Sequence, residues 1–224
     1  RSPGPAPGRL PLEGVTPRVV GAGDLAFESA RVWGQPFDRI RGRLGFEPDR
    51  LRLSSVQGSL GAGSARLEGS FLWDDDGYEL AASADGLPLE RITDVSAGLP
   101  GLTGRLTGTL DGSGTLADPR LRLRGTLAEP AFRGSPLALA GRPATVRLDL
   151  DGTKLEAEVD APGAARVTAN GEAAETALKL EVLSIAAYAG ALGVPAGTEL
   201  DGTATLAMTL VEGSDGSLAG ARGR

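Results

Sequence analysis

Carboxylates supply most of the side chains in this sequence that could do chemistry, and they fall into three groupings. "WDDDGY" places Asp74, Asp75 and Asp76 beside a glycine, as an oxygen-ligand calcium loop would. It lacks the spaced Asp-x-Asp-x-Asp-Gly and the distal glutamate of an EF-hand, so a hairpin tip with a turn-forming Asp-Gly is the expectation. "DLDG" at 149–152 is read the same way. Glu156 and Glu158 point to one side of a strand, as paired acid and base carboxylates could, yet no histidine, aromatic sugar platform or pocket signature accompanies them. The chain has no His and no Cys. Ser-His-Asp and Cys-His nucleophilic sites are thereby excluded, as are imidazole and thiolate metal sites. No enzyme, no cofactor and no metal centre is expected.

The same composition limits partners. A formal net charge of -6 argues against tracking a phosphate backbone, so no nucleic acid is expected. Seven of the nine aromatic residues lie before residue 80, which leaves the second half without a stacking platform. The longest apolar run, "IAAYAGALGV" at 185–194, is half of the roughly 20 residues a membrane span needs. The chain begins with Arg, and it is read as an excerpt of something longer.

The elements that must carry these residues are strands. Gly 34 and Pro 15 favour turns over helix interiors. "DRLRLSS", "ARLEGSFLW", "PRLRLRGTL", "ATVRLDL", "KLEAEV" and "LKLEVL" all alternate apolar with polar. In "ATVRLDLDGTKLEAEVD" a turn on Asp151-Gly152 predicts Leu148 opposite Leu155 and Val146 opposite Ala157. It also predicts Arg147 opposite Glu156 and Asp149 opposite Lys154, pairs worth roughly 0.2 to 1 kcal/mol each. Residues 88–101 and 184–197 break the rhythm, and two short helices of two or three turns are expected there.

An eleven-residue repeat runs through the middle: Gly114-Thr115-Leu116-Ala117-Asp118-Pro119 returns as Gly125-Thr126-Leu127-Ala128-Glu129-Pro130. That step suits one strand of six to eight residues plus a turn, with Pro119 and Pro130 at strand ends. A larger unit of about a hundred residues also recurs, Pro100 and Pro195 lying 95 apart. The organisation predicted is a Pro-rich linker or entry strand at 1–18, a first β-groove unit at 19–118 and a second at 119–224. The fold class predicted is mostly β: a repetitive, curved, antiparallel-dominated sheet forming an apolar groove, with the two short helices.

The aliphatic stripe of that groove comprises Leu121, Leu123, Leu127, Val146, Leu148, Leu155, Val159, Leu178, Leu180, Val182, Leu206, Met208 and Leu210. From patterning alone the favoured reading is the closed core of a β-sandwich or solenoid, since most alternating apolar faces are buried in protein. Arg120, Arg122 and Arg124 form a basic stripe that either touches lipid headgroups or lies on a solvated outer face.

"GTLADPRLRLRG" at 114–125 and "GTLAEPAFRG" at 125–134 resemble the TamB family of bacterial envelope proteins, and residues 23–71 are similar to the related AsmA-like superfamily. The resemblance covers nearly the whole chain past residue 18. It implies a taco-shaped β groove with an apolar inside, in an inner-membrane-anchored protein that crosses the periplasm. It also implies phospholipid as cargo and an outer-membrane barrel protein as a partner through regions this sequence does not include. It carries over no catalytic residue; Gly114, Pro119, Gly125 and Pro130 correspond as architectural positions.

Overall fold

The computed structural model describes residues 20–223 except 33, 75, 94–95, 97–100, 133–134, 137–142, 173–174, 189–193, 196–200 and 213–217. The expected linker at 1–18 therefore lies outside the described residues. The rest forms one antiparallel sheet laid down almost strictly in chain order. Long strands come first: β1 (Gly21–Val32), β2 (Gln35–Phe46), β3 (Arg50–Leu60), β4 (Gly63–Leu72), β5 (Gly77–Pro88), β6 (Leu102–Thr115) and β7 (Pro119–Phe132). The two-residue β8 (Ser135–Pro136) pairs only with β7. Shorter strands complete the sheet: β9 (Ala144–Asp151), β10 (Lys154–Ala161), β11 (Ala165–Glu172), β12 (Glu175–Val182), β13 (Ala204–Glu212) and β14 (Leu218–Gly223). The order β1 to β7, then β9 to β14, is linear, so among the described residues β1 and β14 are edges and the sheet is open. Neighbouring strands lie about 4.8 Å apart, which makes the thirteen-strand path roughly 58 Å across. The sheet runs unbroken through position 118, where the tight β6–β7 turn falls.

Because side chains alternate across a strand, the pairing register sorts the molecule into two faces. One cross-strand row runs Phe27, Ile40, Gly58, Ala65, Ala84, Gly108, Gly125, Val146, Val159, Val167, Leu180, Leu206, through twelve strands without a polar residue. A row three residues away, on the opposite face, includes Asp111, Arg122, Asp149, Glu156 and Asn170.

Three expectations need correction. The β9–β10 turn is Gly152-Thr153, not Asp151-Gly152, so Asp151 pairs with Lys154, Leu150 with Leu155, Leu148 with Ala157 and Val146 with Val159. The neighbouring strand decides this: Gly152 N–H donates to the Pro119 carbonyl at 2.8 Å, and Arg120 Nε reaches Asp151 Oδ1 at 3.1 Å, which together draw Asp151 into the ladder. A shift of two residues preserves both faces. It does replace the expected charge pairs: Arg147 stands opposite Glu158, and Asp149 opposite Glu156. That like-charged pair is relieved by Arg122 Nε, 2.9 Å from Asp149 Oδ1.

The eleven-residue repeat is not strand plus turn, since β6 and β7 are each 14 residues long. Its first copy does make a turn, Thr115 N–H donating to the Asp118 carbonyl at 3.2 Å and Asp118 N–H to Thr115 Oγ1 at 3.0 Å. Its second copy is a bulge inside β7: Glu129 (φ 51) and Pro130 together face Gly104. A bulge leaves the extra residue out of the ladder, so the missing proline N–H costs nothing there.

Of the two expected helices, the described residues carry 3-10 turns at Leu89–Arg91 and Ile185–Tyr188, with Thr93 and Ser96 in α-helical conformation. Ser96 N–H donates to the Ile92 carbonyl at 2.9 Å, and the remainder of both segments falls largely outside the described residues.

Candidate functional site: the apolar face

All thirteen residues of the aliphatic stripe lie on one face. Leu121 leads through Leu150 and Leu155 to Gly171, Thr176 and Leu210. Leu123 leads through Leu148, Ala157 and Ala169 to Leu178 and Met208. Val146, Val159, Leu180 and Leu206 share the row already traced, Leu127 pairs with Ala144, and Val182 joins Ala165 to Ala204. Leu127 is buried, whereas Leu121, Leu123, Val146, Leu148, Leu155, Val159, Leu178, Leu180, Val182 and Met208 are half-buried. Leu206, near the β14 edge, is 42% exposed.

The face continues through the first six strands, on residues that the aliphatic stripe read from sequence does not include: Leu25, Phe27, Ile40, Leu44, Leu53, Val56, Leu67, Leu80, Ala82, Leu106 and Leu110. Their alternation changes phase partway along four strands, which conceals the stripe. In β3, Leu51 and Leu53 are followed by Val56 and Leu60, odd positions giving way to even. Ser55 (φ 51) supplies the extra residue, and Ser54 and Ser55 oppose one position of β4. The bulge returns both halves of the strand to one face. Gly86 (φ 61) does the same in β5 and Glu129 in β7, and Ser29 (φ 56) marks the phase change in β1. A phase slip beside a small polar residue or glycine was the available signal.

One end of the face is packed shut. Leu89, Leu127, Ala144, Ala161 and Ala164 form a buried cluster, with Ile92, Leu102, Leu106, Val146 and Val159 against it. The other end finishes in the cross-strand series Phe46, Leu51, Phe71, Tyr78, in which the rings of Phe71 and Tyr78 lie 6.4 Å apart.

The opposite face is ionic and self-compensating. Arg120 pairs with Asp151 at 3.1 Å, Arg122 with Asp149 at 2.9 Å and Arg124 with Asp149 at 3.8 Å, so the basic stripe is neutralised by β9. Arg166 bridges Glu158 and Asp160, and the Asp160 hydrogen bond and charge hold its guanidinium above the ordinary arginine range. Between the arginines of β3 and those of β7 lies a trough of about 1240 Å³, lined on β4 to β6 by Glu68, Ser70, Glu79, Ala81, Asp111 and Ser113. At its margin Arg50 lowers the Asp49 carboxyl pKa through a 2.6 Å contact.

The remaining candidates for chemistry are dispersed. Asp74 and Asp76 sit in the β4–β5 hairpin connection, where Asp76 takes φ 52, and Asp75 lies outside the described residues. Glu156 and Glu158 do share a face, but Glu158 is paired with Arg166. Among the described residues no group of three or more carboxylates is gathered to hold a metal ion, and no helix is long and apolar enough to cross a membrane. No protein family, curated protein or solved structure matches this chain.

Proposed function

We propose that this chain is a non-enzymatic segment of a periplasm-spanning envelope protein, anchored in the inner membrane by other parts, whose apolar face shields lipid acyl chains from water. Its task is phospholipid transport between the two membranes in outer-membrane biogenesis. One observation carries the reading: an apolar row continues from β1 to β13, with the ion pairs of β7 and β9 to β11 on the other face. A methylene kept from water is worth roughly 0.8 kcal/mol, so a chain held against many equivalent aliphatic rows is stabilised without any specific contact. Equivalent rows also let it slide, since adjacent positions offer the same surface. Headgroups stay outside, in water.

Edge strand β1 favours a second reading, templating strands of an outer-membrane barrel protein. It ends the sheet order, and its Phe27 is 56% exposed. An unpaired strand edge hydrogen-bonds an incoming strand.

Purification from a bacterial periplasm, organic extraction and mass spectrometry test the lipid reading. Near-stoichiometric phospholipid supports it. Background lipid, from protein that melts cooperatively, replaces it with a closed β scaffold.

A further inference from the structure

In the β5–β6 connection, Leu89–Thr93 lie at the packed end of the apolar face and are fastened at two levels. Leu89 is 7% exposed within the Leu127 cluster, and Ile92 packs on the same cluster. These contacts reach forward to β7 and the β10–β11 turn. Its polar ties reach backward to β2 and two hairpin turns. Arg91 Nη2 donates to Asp38 Oδ1 at 3.0 Å and Nη1 to Asp38 Oδ2 at 3.3 Å, while Asp38 also accepts from the Gly61 N–H in the β3–β4 turn. Gln35 Nε2 donates to the Arg91 carbonyl at 3.0 Å, and Gln35 Oε1 accepts from Thr93 N–H at 2.8 Å.

The two levels differ in their access to water. Leu89 is buried, whereas each of these polar ties is exposed. Exposed ties exchange readily with solvent and hold a segment only as a set.

We infer that Leu89–Thr93 is a latch: it opens as a unit, independently of the sheet, and uncovers the Leu127 end of the apolar face. Asp38 and Gln35 are its catch. The inference rests on the proposed lipid reading for its purpose but not for its test, because the readouts use no lipid.

The test compares the full chain with the double variant Gln35→Ala, Asp38→Asn by hydrogen exchange and by binding of an anilinonaphthalene sulfonate dye. Loss of the set is expected to speed exchange at 89–93 about tenfold, the amides of β6, β7 and β9 to β11 keeping their rates, with greater dye fluorescence. Leu89→Ala, which loosens the apolar contacts and leaves the catch, is expected to raise exchange in the same segment. Unchanged exchange at 89–93 in both variants overturns the latch. So does exchange rising throughout β6 to β11, which would make the segment a staple of the fold.

Discussion

The strands β1 to β7 and the strands β9 to β12 present the same apolar face by different means. In the first group glycines fill much of the face: 42, 58, 69, 108, 112 and 125 all occupy cross-strand rows with leucine, valine or alanine. In the second, alanines at 144, 157, 161, 165 and 169 occupy those places, with Gly171 alone at the end of β11. Backbone spacing explains the choice. A Cβ on Gly108 would stand 2.4 Å from the Arg124 carbonyl oxygen, and one on Gly125 would stand 2.6 Å from that of Thr107. The long strands are also bulged at Ser55, Gly86 and Glu129, while β9 to β12 pair without a register shift. A long strand accumulates twist, and bulges with closely approaching glycines accommodate it; eight-residue strands need neither.

The largest effect expected from this contrast comes from adding a side chain where backbones meet. Gly108→Val should cost about 3 kcal/mol in urea unfolding, whereas Ala157→Val should cost less than about 1 kcal/mol. Equal costs would mean that the two halves do not differ in spacing. Next is a charge placed on the half-buried face. Leu148→Asp should leave a cooperative transition, destabilised by about 1 to 2 kcal/mol, while co-purified lipid falls severalfold. Outright unfolding would show that Leu148 belongs to a closed core.

Relieving the left-handed residues should stabilise the bulged half modestly. Ser55→Gly is expected to gain about 0.5 to 1 kcal/mol, while Thr168→Gly, in the regular strand β11, should lose about the same. Thermal melts of the two variants check the opposite signs. The smallest effect concerns pH. The Gly61 N–H, with Arg91, lowers the Asp38 carboxyl pKa below its ordinary 3.8. A carboxylate depressed in the folded state stabilises fully above its unfolded value and loses that contribution as pH falls through the folded value. Exchange at 89–93 should therefore be constant from pH 7 to 5, after correction for intrinsic rates, and should rise below 3.8. The Asp38→Asn variant should lack that rise.

Much of this was legible in the sequence because a period-2 pattern survives any register that preserves the faces. The thirteen aliphatic residues of β7 to β13 could be grouped before their partners were known, and the two-residue error in the β9–β10 turn moved none of them. The turn itself was misplaced because Asp-Gly is a local preference, while Arg120 and the Pro119 carbonyl act on it from a neighbouring strand. The repeat misled for a related reason. Asp118-Pro119 and Glu129-Pro130 have the same local chemistry, but Gly104 lies opposite the second copy and gives a bulge room. The ionic trough depends on which charged side chains the pairing brings together across seven strands.

The most direct test of the central claim asks which face touches lipid. A photoreactive benzoylphenylalanine placed at Leu148, and in a second protein at Arg147, puts the same probe on opposite faces of one strand. After irradiation in living bacteria, phospholipid adducts are predicted at 148 and not at 147. Adducts at 147 alone, or equally at both positions, would contradict a lipid-bearing apolar face.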